Sequence, residues 1–331
     1  MNVLPHEQMT LGVVKKIAYE VSHASFPEAS PNVKHQLGME VSVSECHRVA
    51  QQWGPRLDAL QRRREAGWMT PWSEDSRPAP PERSPTRVVL EADATSTLTG
   101  RGEENKMVYC ATGFGLESRV TKGRERKMLL ERRYTASGVD FEDFVERFRA
   151  LASRLDAHGA QGVAFVGDGA ACLWRMAEEH LPKGTVMIQD YWHVVEHLEN
   201  AARTAHGDGE EAVSAAERWK SLLWESRLDE LLADLRKRRD ALRGKRRGEL
   251  ESEIGYLESG RERMDYARYR AEGWLVGSGA VEGTCKHLVK RRYNMTGARW
   301  KRANIPWVLA LRLSIFNGEW DADWQAIREA A

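Results

Sequence analysis

Seven segments between Arg87 and Asp190 follow one another in the order βββαβαβ, and this order constrains the fold more than any other feature of the chain. RVVLEADAT (87–95), KMVYCATGFGLES (106–118) and RERKMLLERRYTA (124–136) read as three successive strands. A helix is expected from Phe141 to His158, because Phe144, Phe148, Leu151 and Leu155 fall on one apolar stripe. GVAFVGDGA is an apolar strand that ends at Asp168-Gly169. A helix from Ala170 to His180 then leads into a last strand, TVMIQD, which ends at Asp190. Such an order gives an α/β fold, a mixed sheet with helices on its faces.

The flanks read as helical. In residues 1–70, Leu11, Val14 and Ile17 share a face with Ala18 and Val21 beside it. Gly38 then offers a turn, Ser42 or Ser44 a cap, and Cys46, Val49, Ala50 and Trp53 follow at helical spacing. Helix, glycine turn and capped helix fit a DNA-binding helix-turn-helix and an ordinary helical hairpin equally well. Residues 71–86 carry five prolines and read as a linker. From 194 to about 270 the chain is helical and highly charged. Its segment KRRDALRGKRRGELESEI suits a helical hairpin or a coiled-coil arm. The basic run Arg236–Arg247, which overlaps it, reads first as a solvated helix face. The expected division is therefore 1–70, linker 71–86, sheet region 87–193, helical insertion 194–270 and a closing part 271–331.

Composition narrows the function classes. Charged residues make up 30% of the 331, yet the formal net charge is +1, so any polyanion must be met by local charge. Four cysteines lie far apart with no CxxC pair, which argues against a disulfide framework or a cysteine zinc site and fits a reducing cytosol. No apolar run approaches the ~20 residues of a membrane span. The start, MNVLPHEQM, has neither the charged nor the apolar region of a signal peptide, and none is expected.

Local charge is concentrated in GSGAVEGTCKHLVKRRYNMTGARWKRAN, Gly277 to Asn304. One acid, Glu282, stands there before Lys286, Lys290, Arg291, Arg292, Arg299, Lys301 and Arg302. Taken alone the block could be a solvated basic helix. Three further acids change its meaning, because Asp93, Asp168 and Asp190 each fall in a strand or at a strand's end. Carboxylates from separate elements suit hard divalent cations, and two such ions serve phosphoryl transfer. His193 and His197, four apart, could form zinc ligands with Asp190. A capping and packing role for these three is preferred, since no third nitrogen or sulfur ligand is near in sequence.

In four segments the chain resembles bacterial insertion-sequence transposases of the DDE type, in the branch related to the Mutator-like elements. LEADAT resembles the strand of the first acid, Asp93. VGDGAACLWRMAEEHLP resembles the second-acid motif, with Asp168. QDYWHVVEHLENA resembles the [CD]-x-x-H motif that follows, here Asp190 and His193. The block from Gly277 through IPWVLALR resembles the third-acid region, with Glu282. Residues 87 to 324 carry the likeness. It departs from the pattern in placing Ala94 after the first acid where glycine is expected, and its N-terminal region is short.

The resemblance implies a ribonuclease-H-like core with a helical insertion between the second and third acids. It implies that Asp93, Asp168 and Glu282 are catalytic and hold two magnesium ions, with manganese as a substitute, and that Asp190 and His193 support them. It implies that Lys286, Lys290, Arg291, Arg292, Arg299, Trp300 and Lys301 meet DNA, Trp300 by stacking on a base unless it packs in the core. The partners would be double-stranded DNA, both element ends and target, with the protein a homodimer or larger on DNA in the bacterial nucleoid. Competing classes are a transposase-derived DNA-binding protein without catalysis, a nuclease of the same fold that does not join strands, and a zinc hydrolase.

Overall fold

The structure, a computed structural model, describes residues 9–69, 85–100, 102–121 and 124–330. The proline-rich linker therefore lies outside the described residues except for Pro85 and Thr86. The fold is α/β with a five-stranded mixed sheet. Its strands are β1 (Arg87–Thr97), β2 (Lys106–Thr121), β3 (Arg124–Ser137), β4 (Gly162–Gly167) and β5 (Val186–Gln189). β1 and β2 pair antiparallel, with Asp93 opposite Cys110, whereas β4 and β5 pair parallel. The helices on the N-terminal side and between strands are α1 (Leu11–His23), α2 (Phe26–Leu37), α3 (Val43–Met69), α4 (Phe141–Arg154) and α5 (Ala171–His180). All seven segments of the βββαβαβ reading are present.

Contacts divide the chain into two compact units. The first comprises Met1–Glu117, Met128–Gln161 and Ala280–Ala331, and the second Ser118–Lys127 and Gly162–Gly279. This differs from the division that the sequence suggested. In the first unit the N-terminal helices do not keep a core of their own. Val14, Ile17, Cys46, Val49, Trp53 and Leu57 share one cluster with Val308, Leu309 and Leu311. Those last three lie on α13 (Ile305–Phe316), which α14 (Trp320–Glu329) follows.

Local sequence explains the N-terminal turn. Ser25 and Glu28 form a reciprocal capping box at the start of α2. Gly38 ends α2 with φ of 66°, a left-handed conformation natural to glycine. Of the two serines expected as caps for α3, Ser42 accepts the Glu45 amide at 3.1 Å. The inner face of α3 then lies so close to α13 that a Cβ on Gly54 would come within 2.6 Å of the Trp307 carbonyl oxygen.

A buried ion network fastens α3 to α4. The Arg147 guanidinium is 4% exposed and meets Asp58, Glu65 and Asp143. A buried guanidinium is tolerated only when its donors are satisfied by charge. Three carboxylates from two helices meet that demand here.

The second unit contains the helical insertion. α6 (Tyr191–His206), α7 (Glu210–Trp224), α8 (Leu228–Ala241), α9 (Gly244–Ser259) and the short α10 (Tyr266–Ala271) enclose a core. It includes Val194, Leu198, Trp219, Leu232, Leu235, Leu250 and Ile254. α8 and α9 are the two arms of the expected hairpin. Most of its basic run is exposed, and part of it pairs with neighbours. Arg236 pairs with Glu258, Arg239 with Glu251, and Arg246 donates to the Thr204 carbonyl. Among the described residues no helix is long and apolar enough to cross a membrane.

Because Arg147 satisfies three acids at once, Arg147→Met removes the ion-pair partner of Glu65 and leaves Asp58 and Asp143 to Arg62 alone. The expected cost is about 3–5 kcal/mol, read as a lower urea midpoint with an unchanged slope.

Candidate active site

The first unit joins two of the expected acids through one strand face. Side chains alternate along a strand, so Glu91, Asp93 and Thr95 project to the same side of β1. That side meets the helix that carries Glu282. It begins as α11 (Gly279–Thr284), widens into a π-helical segment over Cys285–Lys290, and ends as α12 (Arg291–Tyr293). Glu91 is fully buried, and its Oε2 accepts the Val281 amide at 2.7 Å. A carboxyl oxygen on a first-turn amide satisfies a donor that the helix itself leaves open. Glu282, the next residue, is exposed.

Asp93 is half-buried, and its Oδ1 accepts the Ala94 amide at 2.6 Å. Alanine thus provides the same backbone donor that glycine would. Cys285 lies against this acid. The adjacent Cys110 thiol, burial and the Asp93 charge together push the Cys285 thiol up.

The basic block splits into two populations. Lys286, Lys290, Arg291, Arg299, Lys301 and Arg302 are exposed. Arg292 and Trp300, expected on the DNA surface, are interior instead. Arg292 donates to the Val21 carbonyl at 2.9 Å, and burial pushes its pKa down to about 10. Its guanidinium lies 4.7 Å from the centre of the Trp300 ring. Trp300 donates its indole N–H to the Tyr293 carbonyl at 3.1 Å, and its backbone bridges to Thr99 beyond the end of β1. Of its two expected roles, the structure fits packing.

In the second unit the two strand-end aspartates differ in how their oxygens are used. Asp168 follows β4, and its Oδ1 accepts the Ala170 amide at 3.1 Å. Asp190 caps α6. Its Oδ1 accepts the Trp192 and His193 amides, and its Oδ2 accepts both the amide and the hydroxyl of Ser278. Four donors on one carboxylate make Asp190 a structural clamp, joining the start of α6 to the segment before α11. His193 is half-buried beside Glu196, 3.8 Å away. His197 is committed elsewhere. Its Nδ1 lies 2.6 Å from Glu253 Oε2, and its ring stacks on Tyr256 at 3.7 Å.

Sequence reasoning missed a group beneath Asp168. Tyr256 on α9 donates its hydroxyl to the Asp168 carbonyl at 3.1 Å, and the Gln189 amide lies 2.6 Å from the same hydroxyl. Burial pushes the Tyr256 phenol up to about 12. Glu91 was missed as well. LEADAT displays two acids two residues apart, a spacing that puts both on one face, and only the first-acid motif drew attention to Asp93.

The donor chemistry of Asp93, Asp168 and Glu282 suits a hard divalent cation, since all three offer carboxylate oxygen. The histidines do not form a zinc set, because His197 is taken up by Glu253 and Tyr256. Among the described residues no three His, Cys, Asp or Glu side chains are gathered closely enough to hold a metal ion. Magnesium sites commonly use one or two carboxylates and complete their shell with water and substrate phosphate.

No protein-family model matches the chain, and no curated protein matches it. Among solved structures, the Drosophila P element transposase strand transfer complex is similar at 12% identity with a TM-score of 0.29, covering 99% of this chain and 82% of that one.

The Glu91 contact gives a direct test of how the Glu282 helix is held. Glu91→Ala leaves the Val281 amide buried without its acceptor, for an expected loss of about 1–3 kcal/mol, measured by chemical denaturation. Hydrogen exchange at Val281 and Glu282 should accelerate more than exchange in α3.

Proposed function

We propose that this chain is a DNA transposase of the DDE type that cuts the ends of a mobile element and joins them to target DNA. Asp93, Asp168 and Glu282 are its catalytic acids and would hold two magnesium ions. The supporting observation is the seating of the Glu282 helix on the Asp93 strand, through a buried bond between residues 190 apart in sequence. That seating supports the motif reading for Asp93 and Glu282, which lie far apart along the chain. The exposed cations on the same helix support a polyanion partner.

When bound, magnesium would activate the attacking oxygen and stabilise the leaving one. The chain's own residues would position the DNA. Lys286, Lys290 and Arg291 would contact phosphates near the scissile bond, with Arg299 and Lys301 on the flanking duplex. Each such contact releases counterions, so binding weakens as salt rises. Asp190, through Ser278, would brace the approach to α11, and His193 would sit at the mouth of α6. The partners would be element ends and target DNA, with two or more copies of the chain assembled on them.

A supercoiled plasmid carrying the gene with its flanking DNA provides the substrate. With magnesium, the protein should nick at the element ends and yield strand-transfer products. Asp93→Asn, Asp168→Asn and Glu282→Gln should each slow cleavage by about 100-fold or more, the scale of several kcal/mol of lost transition-state stabilisation. Wild-type rates in all three variants would sink the proposal. Products that are nicked but never joined would instead point to a nuclease. Removing Lys286 or Lys290 should lower the salt slope of binding by about one unit each if each contacts a phosphate.

A further inference from the structure

We propose that Tyr256 is a positioning residue for Asp168, and that the helical insertion acts on the catalytic acid through it. The inference rests on the reading of Asp168 as a metal-holding acid. Asp168 and Gly169 make the sharp turn after β4, where Gly169 has φ of +114°. Few side chains accept that conformation, so the orientation of the Asp168 peptide depends on what its carbonyl binds. The Tyr256 hydroxyl meets that carbonyl at 3.1 Å, and the Gln189 amide reaches it at 3.4 Å. The same amide lies 2.6 Å from the Tyr256 oxygen. These three groups form one closed set around a single backbone oxygen.

The surroundings are fitted to this set. Gln189 is buried, between two glycines that leave it room. A Cβ on Gly169 would stand 2.8 Å from the Gln189 nitrogen and 3.2 Å from Tyr256 Cε2. One on Gly260 would stand 3.0 Å from the Gln189 oxygen. Tyr256 is itself fixed from its other face. Its ring lies nearly parallel to that of His197, with an angle of 20° between them, and His197 bonds to Glu253, one turn before Tyr256 on α9. Glu253 therefore orients His197, His197 supports the Tyr256 ring, and the Tyr256 hydroxyl holds the Asp168 carbonyl. A partner at this remove from a metal ligand commonly changes metal affinity or activity by about 10–100-fold.

Tyr256→Phe isolates the hydroxyl, because phenylalanine keeps the stack on His197 and the folded state. In the full-length protein its unfolding midpoint should stay near wild type. Hydrogen exchange over 168–170, read by mass spectrometry, should run about fivefold faster, the scale of one lost hydrogen bond. Mn2+ binding to the protein–DNA complex, followed by electron paramagnetic resonance, should weaken about 10-fold. The cleavage rate should fall at saturating DNA with DNA affinity unchanged, and added Mn2+ should restore it, a rescue that general loosening of the fold would not give. Unchanged exchange at 168–170 overturns the proposal. So does faster exchange with wild-type Mn2+ affinity and cleavage. Asp168→Asn in the same assays separates the two levels. If it too leaves Mn2+ binding and cleavage intact, the assignment of Asp168 as a ligand fails, and this proposal falls with it. If it abolishes both while Tyr256→Phe does not, only the role of Tyr256 is lost.

Discussion

A carboxyl group with no access to solvent, Glu91, holds the amide of Val281 and so seats the start of the Glu282 helix on β1. Burying a carboxyl group is costly unless it is met by a donor or a favourable potential. The first turn of α11 supplies both. With Val281 fixed over β1, Cys285 returns to the strand beside Asp93, and Glu282 stays exposed. Of the two acids, Glu91 is buried as a support and Glu282 is presented outward.

The widened turn that follows sorts the basic block. A π-helical segment shifts the side-chain period away from that of an α-helix. Over Cys285–Lys290 and α12, Leu288, Val289, Arg292 and Tyr293 face inward, and Lys286, Lys290 and Arg291 face outward. The inward arginines serve the backbone. Arg292 binds the Val21 carbonyl, and Arg312 binds those of Ser22, His287 and Leu288. Carbonyls at helix ends lack intrahelical donors, and a guanidinium with five donors can satisfy several at once. Burial lowers both arginines to about 10, which leaves them charged at neutral pH.

The strand and helix order was legible because each apolar run declares its period, as Phe144, Phe148 and Leu151 do for α4. The strand-end positions of Asp168 and Asp190 were legible from the apolar runs before them, whereas Asp93 lies inside β1. The support beneath these acids was not legible. Glu91 reads as one more acid in LEADAT, and only tertiary structure shows that it is buried under a helix end. Gln189 and Tyr256 are 67 residues apart and carry no pattern that relates them. Arg292 is indistinguishable in sequence from Arg291, since an arginine's place inside or outside depends on which carbonyls the fold leaves open. The N-terminal helices looked separable because a proline-rich stretch follows them. Yet Gly54 lets α13 approach closely, and a chain break in pattern does not prevent a shared core.

Hydrogen-bond accounting separates two aspartates that the sequence places in equivalent positions, each closing a strand before a helix. A carboxylate has about four lone-pair sites. Asp190 meets four donors, from Trp192, His193 and two atoms of Ser278, and has little capacity left for a cation. Asp168 meets the Ala170 amide on one oxygen, while its orientation is set instead through its carbonyl by Tyr256 and Gln189. Fixing an acid by its backbone keeps its side chain available, and fixing it by its side chain turns it into a brace. That difference supports the proposed assignment of Asp168 as a ligand with Asp190 as its brace. It also gives the long helical insertion a reason to carry a tyrosine on α9 facing the end of β4.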